Sequence, residues 1–393
     1  MNTTNRAWAE VNLDSLKHNI TAIRKLVTPS AKILGVVKAD AYGHGYFEVA
    51  STLLENGADA LAIACLDEAL QLRKSNFSCP LLILGHSCND EADDLVAADI
   101  IPACFDYSFA KAMSDSAVKQ NKTAKIHIKT DTGMGRIGYR YTADKAVNKR
   151  SVEEILKISK LPNLEINGIF THFSVADDDD DEYTFLQFER FTSLCSELEK
   201  NGLKIPIKHC ANSAATVRFP HMHLDMVRPG IILYGHKPSA FTDCSALSLK
   251  PVMTFKAKIS NIKTIESGAS VSYGRRYTSE KPTKIATVPV GYADGYSRLL
   301  SNKAQILVNG NLCNIVGNIC MDQCMIDVSD VNTISIGDEV ILFGTGKNAE
   351  LPVECLADKM GTINYEILCM VGKRVPRVYI ENGVEKPFSQ GLF

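Results

Sequence analysis

Between Lys32 and about Tyr234, short apolar runs alternate with stretches whose apolar residues recur at every third or fourth position. The runs 33–38, 60–65, 81–85, 100–105, 125–130, 166–173, 207–211 and 224–228 are apolar along their length. That texture predicts strands covered on both faces. Segments between them, such as 47–56, 67–73 and 183–200, carry helical spacing. Strand–helix alternation of this kind implies a parallel sheet, and about eight units favour a (β/α)8 barrel over an open doubly wound sheet.

After about Ala246 the pattern changes to runs rich in Val, Ile and Thr, at 252–259, 283–290, 304–308 and 340–343, separated by Gly and Asn. Asn309-Gly310 carries the chemistry of a hairpin turn, and Phe343-Gly344-Thr345-Gly346 reads as a turn between strands. The early segment 7–13 alternates like a strand and precedes a helix that the cap-like Asp14-Ser15-Leu16-Lys17 starts at Asp14. The expected division is an N-terminal strand at 1–10 that pairs with the last domain, an α/β barrel over 11–245, and a mostly β domain over 246–393.

A chain of 393 residues is long for one domain, and its 45% apolar and 22% charged residues are those of an ordinary globular protein. The balance of 43 basic against 45 acidic residues leaves no field that recommends a nucleic-acid partner. No apolar run approaches the ~18 residues of a membrane span and no signal-like segment opens the chain, so a cytoplasmic protein with no membrane partner is expected. The 12 cysteines are scattered, many inside apolar runs, and read as reduced thiols. Cys313, Cys320 and Cys324 lack paired spacing, His221 and His223 lack a third ligand, and the acidic run 177–182 is explained by the dipole of the following helix. No metal site is assigned.

A barrel carries its chemistry at the C-terminal ends of its strands. Lys38 ends the first run, where a desolvated ammonium loses its proton more readily and suits Schiff-base or general-base work. Arg136 follows the fifth, His172 ends the sixth, His209 to Ser213 the seventh, and Arg228-Pro229-Gly230 the eighth. Around Asn212, Ser213, Gly230 and Ile231 a hydroxyl and backbone N–H groups converge after the last two strands, a common place for phosphate in barrels. A Schiff-base lysine and a phosphate cup on one rim point to pyridoxal phosphate.

At these residues the chain resembles a known family. Val37-Lys38-Ala39-Asp40-Ala41-Tyr42-Gly43-His44-Gly45 is similar to the cofactor-lysine motif of the alanine racemases. The likeness continues in order through Asp131-Thr132-Gly133-Met134-Gly135-Arg136, Thr171-His172-Phe173, Ala211-Asn212-Ser213-Ala214, Arg228-Pro229-Gly230, Ser272-Tyr273-Gly274, Gly291-Tyr292-Ala293-Asp294-Gly295, Cys320-Met321-Asp322-Gln323 and Ile363-Asn364-Tyr365-Glu366.

The resemblance implies a homodimer with shared active sites that interconverts L-alanine and D-alanine, supplying D-alanine for peptidoglycan. Lys38 holds the cofactor and is one base, and Tyr273, from the partner subunit, is the other. A phenol serves as a base near neutral pH only with cations or hydrogen bonds nearby, and His172 and Arg228 match the network behind it. Arg228 also matches the residue facing the cofactor ring nitrogen, where a permanent cation weakens the ring as an electron sink. Tyr42, Asn212, Ser213, Gly230, Ile231 and Tyr365 match cofactor contacts, and Arg136 and the Met321 backbone match substrate-carboxylate contacts. Tyr292 and Asp322 are supporting residues, and Lys129 matches a lysine that some relatives carbamylate. Asn318 departs from the pattern, standing where many relatives carry a basic residue of the substrate access corridor, whose other polar members match Arg298 and Asp177. Racemization of serine or a wider set of amino acids, and a non-catalytic pyridoxal phosphate carrier, are the competing readings.

Overall fold

The structure is a computed structural model that describes residues 6–386; residues 1–5 of the expected N-terminal strand segment and 387–393 lie outside the described residues. The chain forms two compact units. One comprises Lys17–Ala41 and Val49–Lys250, the other the residues up to Leu16, Tyr42–Glu48 and those from Pro251 on. Residues 42–48, expected within the barrel, thus group with the β-rich unit.

The first unit is an eight-stranded parallel barrel. Its strands Lys32–Val36, Ala60–Ile63, Leu81–Ile83, Ile101–Cys104, Ala124–Asp131, Leu164–Phe170, Ile207–His209 and Met226–Val227 follow one another around the sheet. The eighth pairs back onto the first through Met226 opposite Lys32 and Val227 opposite Ile33. Backbone bonds from Asp225 N–H to Lys208 O (3.1 Å) and from Arg228 N–H to Ala211 O (3.0 Å) bridge the seventh and eighth, which rules out the open sheet. Each apolar run became a strand because both its faces are covered: Ile33, Leu61, Leu81, Ile83, Ile126, Ile128 and Ile169 are all buried. The connecting helices start where a side chain caps them, as Asp106 does for Tyr107–Lys119 and Asp144 for Lys145–Ile158.

In the second unit, the strand Ala7–Asn12 lies between Met253–Lys258, antiparallel, and Arg377–Glu381, parallel. Further antiparallel strands, Glu339–Thr345, Gln305–Val308 and Asn311–Asn314, extend that sheet. A smaller antiparallel sheet holds Asn261–Ile265, Thr283–Val288 and Cys324–Asp327. Asn309 and Gly310, at φ 47° and 82°, make the expected two-residue hairpin turn.

Two local expectations are corrected. The helix Leu13–Leu26 starts before Asp14, because Asn12 Oδ1 accepts the Ser15 N–H at 2.8 Å and is the cap. Phe343-Gly344-Thr345 is strand rather than turn: Gly344 pairs with Leu351, and a Cβ on it would come within 2.7 Å of Thr254 Cα. Its glycine marks close backbone approach.

Candidate active site

The first barrel strand stops at Val36, so Lys38 lies beyond the strand end expected for it and opens the turn Lys38–Tyr42. Ala39, Asp40, Ala41 and Tyr42 hold φ values of 54°, 53°, 53° and 54°, a left-handed turn without a glycine. Such a turn costs roughly 1–2 kcal/mol per residue, so its surroundings must impose it. Glu68 bridges it to the next strand, one carboxylate oxygen accepting the Ala39 N–H and the other the Ala64 N–H, each at 2.7 Å. Val37 N–H donates to Ala62 O (2.9 Å) and Tyr234 OH to Val36 O (2.9 Å). Lys38 is half-buried, and its charge, with those of Arg228, Lys129 and Arg136, reinforces the burial that depresses His172.

The fifth strand reads Ile126-His127-Ile128-Lys129-Thr130-Asp131, and the alternation is inverted relative to a surface strand. His127, Lys129 and Asp131 share the face opposite Ile126 and Ile128, and all are buried. Lys129 Nζ lies 5.4 Å from the Phe170 ring centroid, and burial, then the charge of Arg228, lowers its pKa to about 7; Asp131 opposes this and Arg136 adds to it. Asp131 shapes the following loop by accepting the N–H groups of Gly133 (3.0 Å) and Gly135 (3.1 Å), and the exposed Arg136 follows directly.

Arg228 is buried at the end of the eighth strand. Its guanidinium contacts His209 Nδ1 (3.1 Å) and His172 Nδ1 (3.3 Å) and donates to Thr171 O (2.9 Å) and Cys210 O (3.1 Å). All four acceptors are neutral, and no carboxylate among the described residues pairs with it. Burial lowers its pKa only to about 10, so it stays a cation at neutral pH. His209 stacks on Phe170 with centroids 4.8 Å apart, and its Nε2 lies 2.9 Å from His127 Nδ1.

At the seventh and eighth strand ends the Ser213 hydroxyl accepts the Gly230 N–H at 2.8 Å, with Ile231 buried beside it. Asn212 caps the short helix Ser213–Arg218 by accepting the Ala215 N–H at 3.0 Å. Its Oδ1 is therefore committed to capping the helix that Ser213 opens.

The β-rich unit carries the remaining residues. Tyr42 and Tyr365 lie with ring centroids 6.0 Å apart, and burial raises the Tyr42 phenol above its ordinary range. Gly43, at φ 80°, allows Leu368 O to approach where a Cβ would lie 2.5 Å away. Tyr273 is 72% exposed on a tight turn. Asn318 Nδ2 donates to Tyr273 O (2.6 Å) and Ser272 Oγ to Asn318 O (2.6 Å). Asn318 thus fastens the tyrosine's backbone. Met321 and Tyr292 are exposed on a second turn, joined by bonds from Tyr292 N–H to Cys320 O (3.1 Å) and from Ala293 N–H to Met321 O (3.0 Å). Asp322 pairs with Arg374 at 2.5 Å, and Arg374 reaches the fully buried Asp294 at 2.8 Å.

The barrel residues fit pyridoxal phosphate. Arg228 is a buried cation whose acceptors among the described residues are all neutral, and its Nε–H bonds none of them, which suits an aromatic ring nitrogen that accepts without being protonated. His127, and a role for His209, do not stand out from the sequence. The signal is the alternation of His127, Lys129 and Asp131 with Ile126 and Ile128, together with Gly168 opposite His127.

The family profile "Alanine racemase, N-terminal domain" matches residues 11–238, and "Alanine racemase, C-terminal domain" matches 252–379. A protein of Clostridium acetobutylicum, alanine racemase 1, is 48% identical over 376 residues, covering 96% of both chains. The alanine racemase structure from Clostridium difficile 630 superposes with a TM-score of 0.93 at 41% identity, covering 99% of each chain. That from Bacillus anthracis, solved with bound L-Ala-P, gives 0.89 at 35% identity, with 97% of this chain and 96% of that one covered.

Proposed function

The chain belongs to the alanine racemase family, and from that premise we propose that it interconverts L-alanine and D-alanine with pyridoxal phosphate, as a homodimer with two opposed bases. The observation that carries the cofactor reading is the buried Arg228 guanidinium, whose protein partners are all neutral acceptors. The L-Ala-P bound to the Bacillus anthracis relative supports alanine as the substrate.

Pyridoxal phosphate, when bound, supplies an electron sink that acidifies the substrate Cα–H. Lys38 would hold it through Nζ until the substrate amine takes that place and frees the lysine amine, and Ser213, Gly230, Ile231, Tyr42 and Tyr365 would hold its phosphate. Asn212 and His172 complete the cofactor's surroundings, the first by seating Ser213 and the second through Arg228. Arg228 keeps its proton and would donate to the ring nitrogen without protonating it, which would moderate the sink and favour return of a proton to Cα. Lys38 Nζ takes or gives that proton on one face, and the phenol oxygen of the partner subunit's Tyr273 does so on the other. Inversion needs both, because one base returns the proton to the face it came from. Arg136 and the Met321 backbone bind the substrate carboxylate, with Tyr292 and Asp322 supporting the Met321 turn. D-alanine for peptidoglycan is the physiological product.

Lys129 sits among cations with its pKa lowered to about 7, so a large share of its amine is neutral at physiological pH and open to CO2. Its carbamate would place a negative charge toward Arg136. Intact-mass measurement in bicarbonate that finds only the unmodified lysine removes this part of the reading.

The function is tested by visible-edge absorbance and alanine racemization of the loaded protein and two variants. Lys38→Ala is expected to abolish both signals, and Tyr273→Phe to keep the absorbance while slowing racemization. Wild type without cofactor absorbance or without racemization overturns the proposal, and a higher kcat/KM for serine than for alanine transfers it to the serine reading.

A further inference from the structure

Two buried histidines stand in line behind Arg228, and nothing so far uses the farther one. His209 Nδ1 lies 3.1 Å from Arg228 Nη1, and His209 Nε2 lies 2.9 Å from His127 Nδ1. A guanidinium has only donors, so His209 Nδ1 accepts. A neutral imidazole offers one acceptor and one donor. His209 therefore carries its proton on Nε2 and gives that hydrogen bond to His127 Nδ1, which leaves the His127 proton on its own Nε2. Burial and the charge of Arg228 keep both rings neutral.

The barrel makes deliberate room for the outer ring. The fifth and sixth strands shift register between Ile126 and His127, and His127 faces Gly168, where a Cβ would lie 2.5 Å from ring atoms. Among the described residues His127 Nε2 has no hydrogen bond that meets the geometric criteria, and the nearby Asn167 side chain favours the protonated ring less than burial disfavours it. It borders a cavity of about 290 Å³ at the barrel floor, ringed by the first residues of the strands, among them Lys32, Lys125 and Ile207, with Asn167 on the same wall. A space of that size, with Lys32, Asp59, Lys125 and Asn167 on its wall, admits water to the last donor.

We propose that His127 is a positioning residue for the reaction: by accepting the His209 Nε2–H it fixes the tautomer that allows His209 to accept from Arg228, and so holds the guanidinium in its orientation. The inference deepens the proposed function, since it rests on Arg228 facing the cofactor. Without an acceptor at position 127, the His209 Nε2–H would be buried and unpaired, which carries the full desolvation penalty. His209 escapes that penalty by moving its proton to Nδ1, where it meets the Arg228 donor head-on and displaces it.

The test is two-bond 15N–1H correlation on 15N-histidine-labelled apoprotein, followed by kinetics of the cofactor-loaded enzyme, for wild type, His127→Leu and His127→Asn. The asparagine Oδ1 stands in for Nδ1 as acceptor. Wild type and His127→Asn should show His209 protonated on Nε2, with kcat of His127→Asn within ~3-fold of wild type. His127→Leu should show the Nδ1–H form, with kcat lowered ~10-fold or more, the rate equivalent of ~1.4 kcal/mol, and KM for alanine little changed. An Nδ1–H tautomer in wild type or in His127→Asn overturns the proposal. So does His127→Leu with an unchanged tautomer or unchanged kcat. Should His127→Leu not fold, the wild-type and His127→Asn spectra decide. Wild type that fails to racemize alanine defeats the functional reading, while the apoprotein tautomers still decide the relay.

Discussion

Gly168→Ala is expected to damage the protein through a single collision. A Cβ at 168 would lie 2.5, 2.5 and 2.6 Å from His127 Cε1, Nδ1 and Nε2, so it meets the imidazole across its whole edge. Favourable contacts run ~3.5–4.0 Å, so the ring must retreat by about 1 Å. It cannot do so and keep its 2.9 Å bond to His209 Nε2. Gly168 is not in the left-handed region, so the penalty is steric and not conformational. Overpacking of this kind costs about 1–3 kcal/mol and the lost hydrogen bond about 1 more. At ~2–4 °C per kcal/mol for a unit of this size, the melting temperature should fall by about 5–15 °C. Scanning calorimetry on Gly168→Ala, His127→Ala and the double variant checks the cause. Removing the ring makes space for the new methyl, so the double variant should lose at least ~1 kcal/mol less than the sum of the singles. A Gly168→Ala protein melting within ~1 °C of wild type, or losses that simply add, would refute the steric argument.

Three other outcomes follow from local electrostatics and hydrogen bonding. Burial alone would raise Asp294, but hydrogen bonds from Arg374, Arg6 and the Gly291 N–H hold it below the usual carboxylate range. Its contribution is present above the unfolded value of ~3.9 and lost as pH falls through the folded value. Asp294→Asn should cost about 2–3 kcal/mol at pH 7, at the low end for a broken buried pair because both arginines are partly exposed. The gap in melting temperature from wild type should close on acidification, and a gap of constant size down to the acid limit of folding contradicts this. Lys129 works with the opposite sign, because its folded pKa of about 7 lies below the unfolded value of ~10.4. Its burial penalty is full below pH 7 and relaxes as pH rises toward 10, so Lys129→Met should stabilise most at pH 6 and least at pH 9.5 in urea unfolding. Equal stabilisation at both would count against it. Asn318→Ala removes the 2.6 Å bond to Tyr273 O, loosens an exposed turn and should lower kcat ~3–10-fold while leaving the melting temperature nearly unchanged. An unaltered kcat would dissociate that bond from catalysis.

Much of the fold was legible along the chain because its signals are local. Eight apolar runs led to eight barrel strands, and the Asn309-Gly310 turn led to a hairpin. The strand Ala7–Asn12 was legible as a strand, but its place between Met253–Lys258 and Arg377–Glu381 depends on residues more than two hundred positions away. The helix start slipped because Asn12 and Asp14 are both able caps and only backbone geometry chooses between them. Lys38 was expected at a strand end, but a left-handed turn carries it beyond the strand. No propensity anticipates four alanine-, aspartate- and tyrosine-type residues at positive φ. Glu68, from a different helix, and the Tyr234 hydroxyl brace that turn and the strand before it.

The sequence by itself determined the class of protein and its fold, since apolar periodicity, glycine turns and the ordered motifs from Val37 to Glu366 are all written within short windows. The tertiary structure alone decided how those residues are held: Asn318 behind Tyr273, Glu68 on the left-handed turn, and His209 and His127 in file behind Arg228. The physical reason is range. Burial patterns and turn preferences act between near neighbours, whereas a buried guanidinium chooses its acceptors from strands that only barrel closure brings together, and its fixed donors then dictate every proton position in the line behind it.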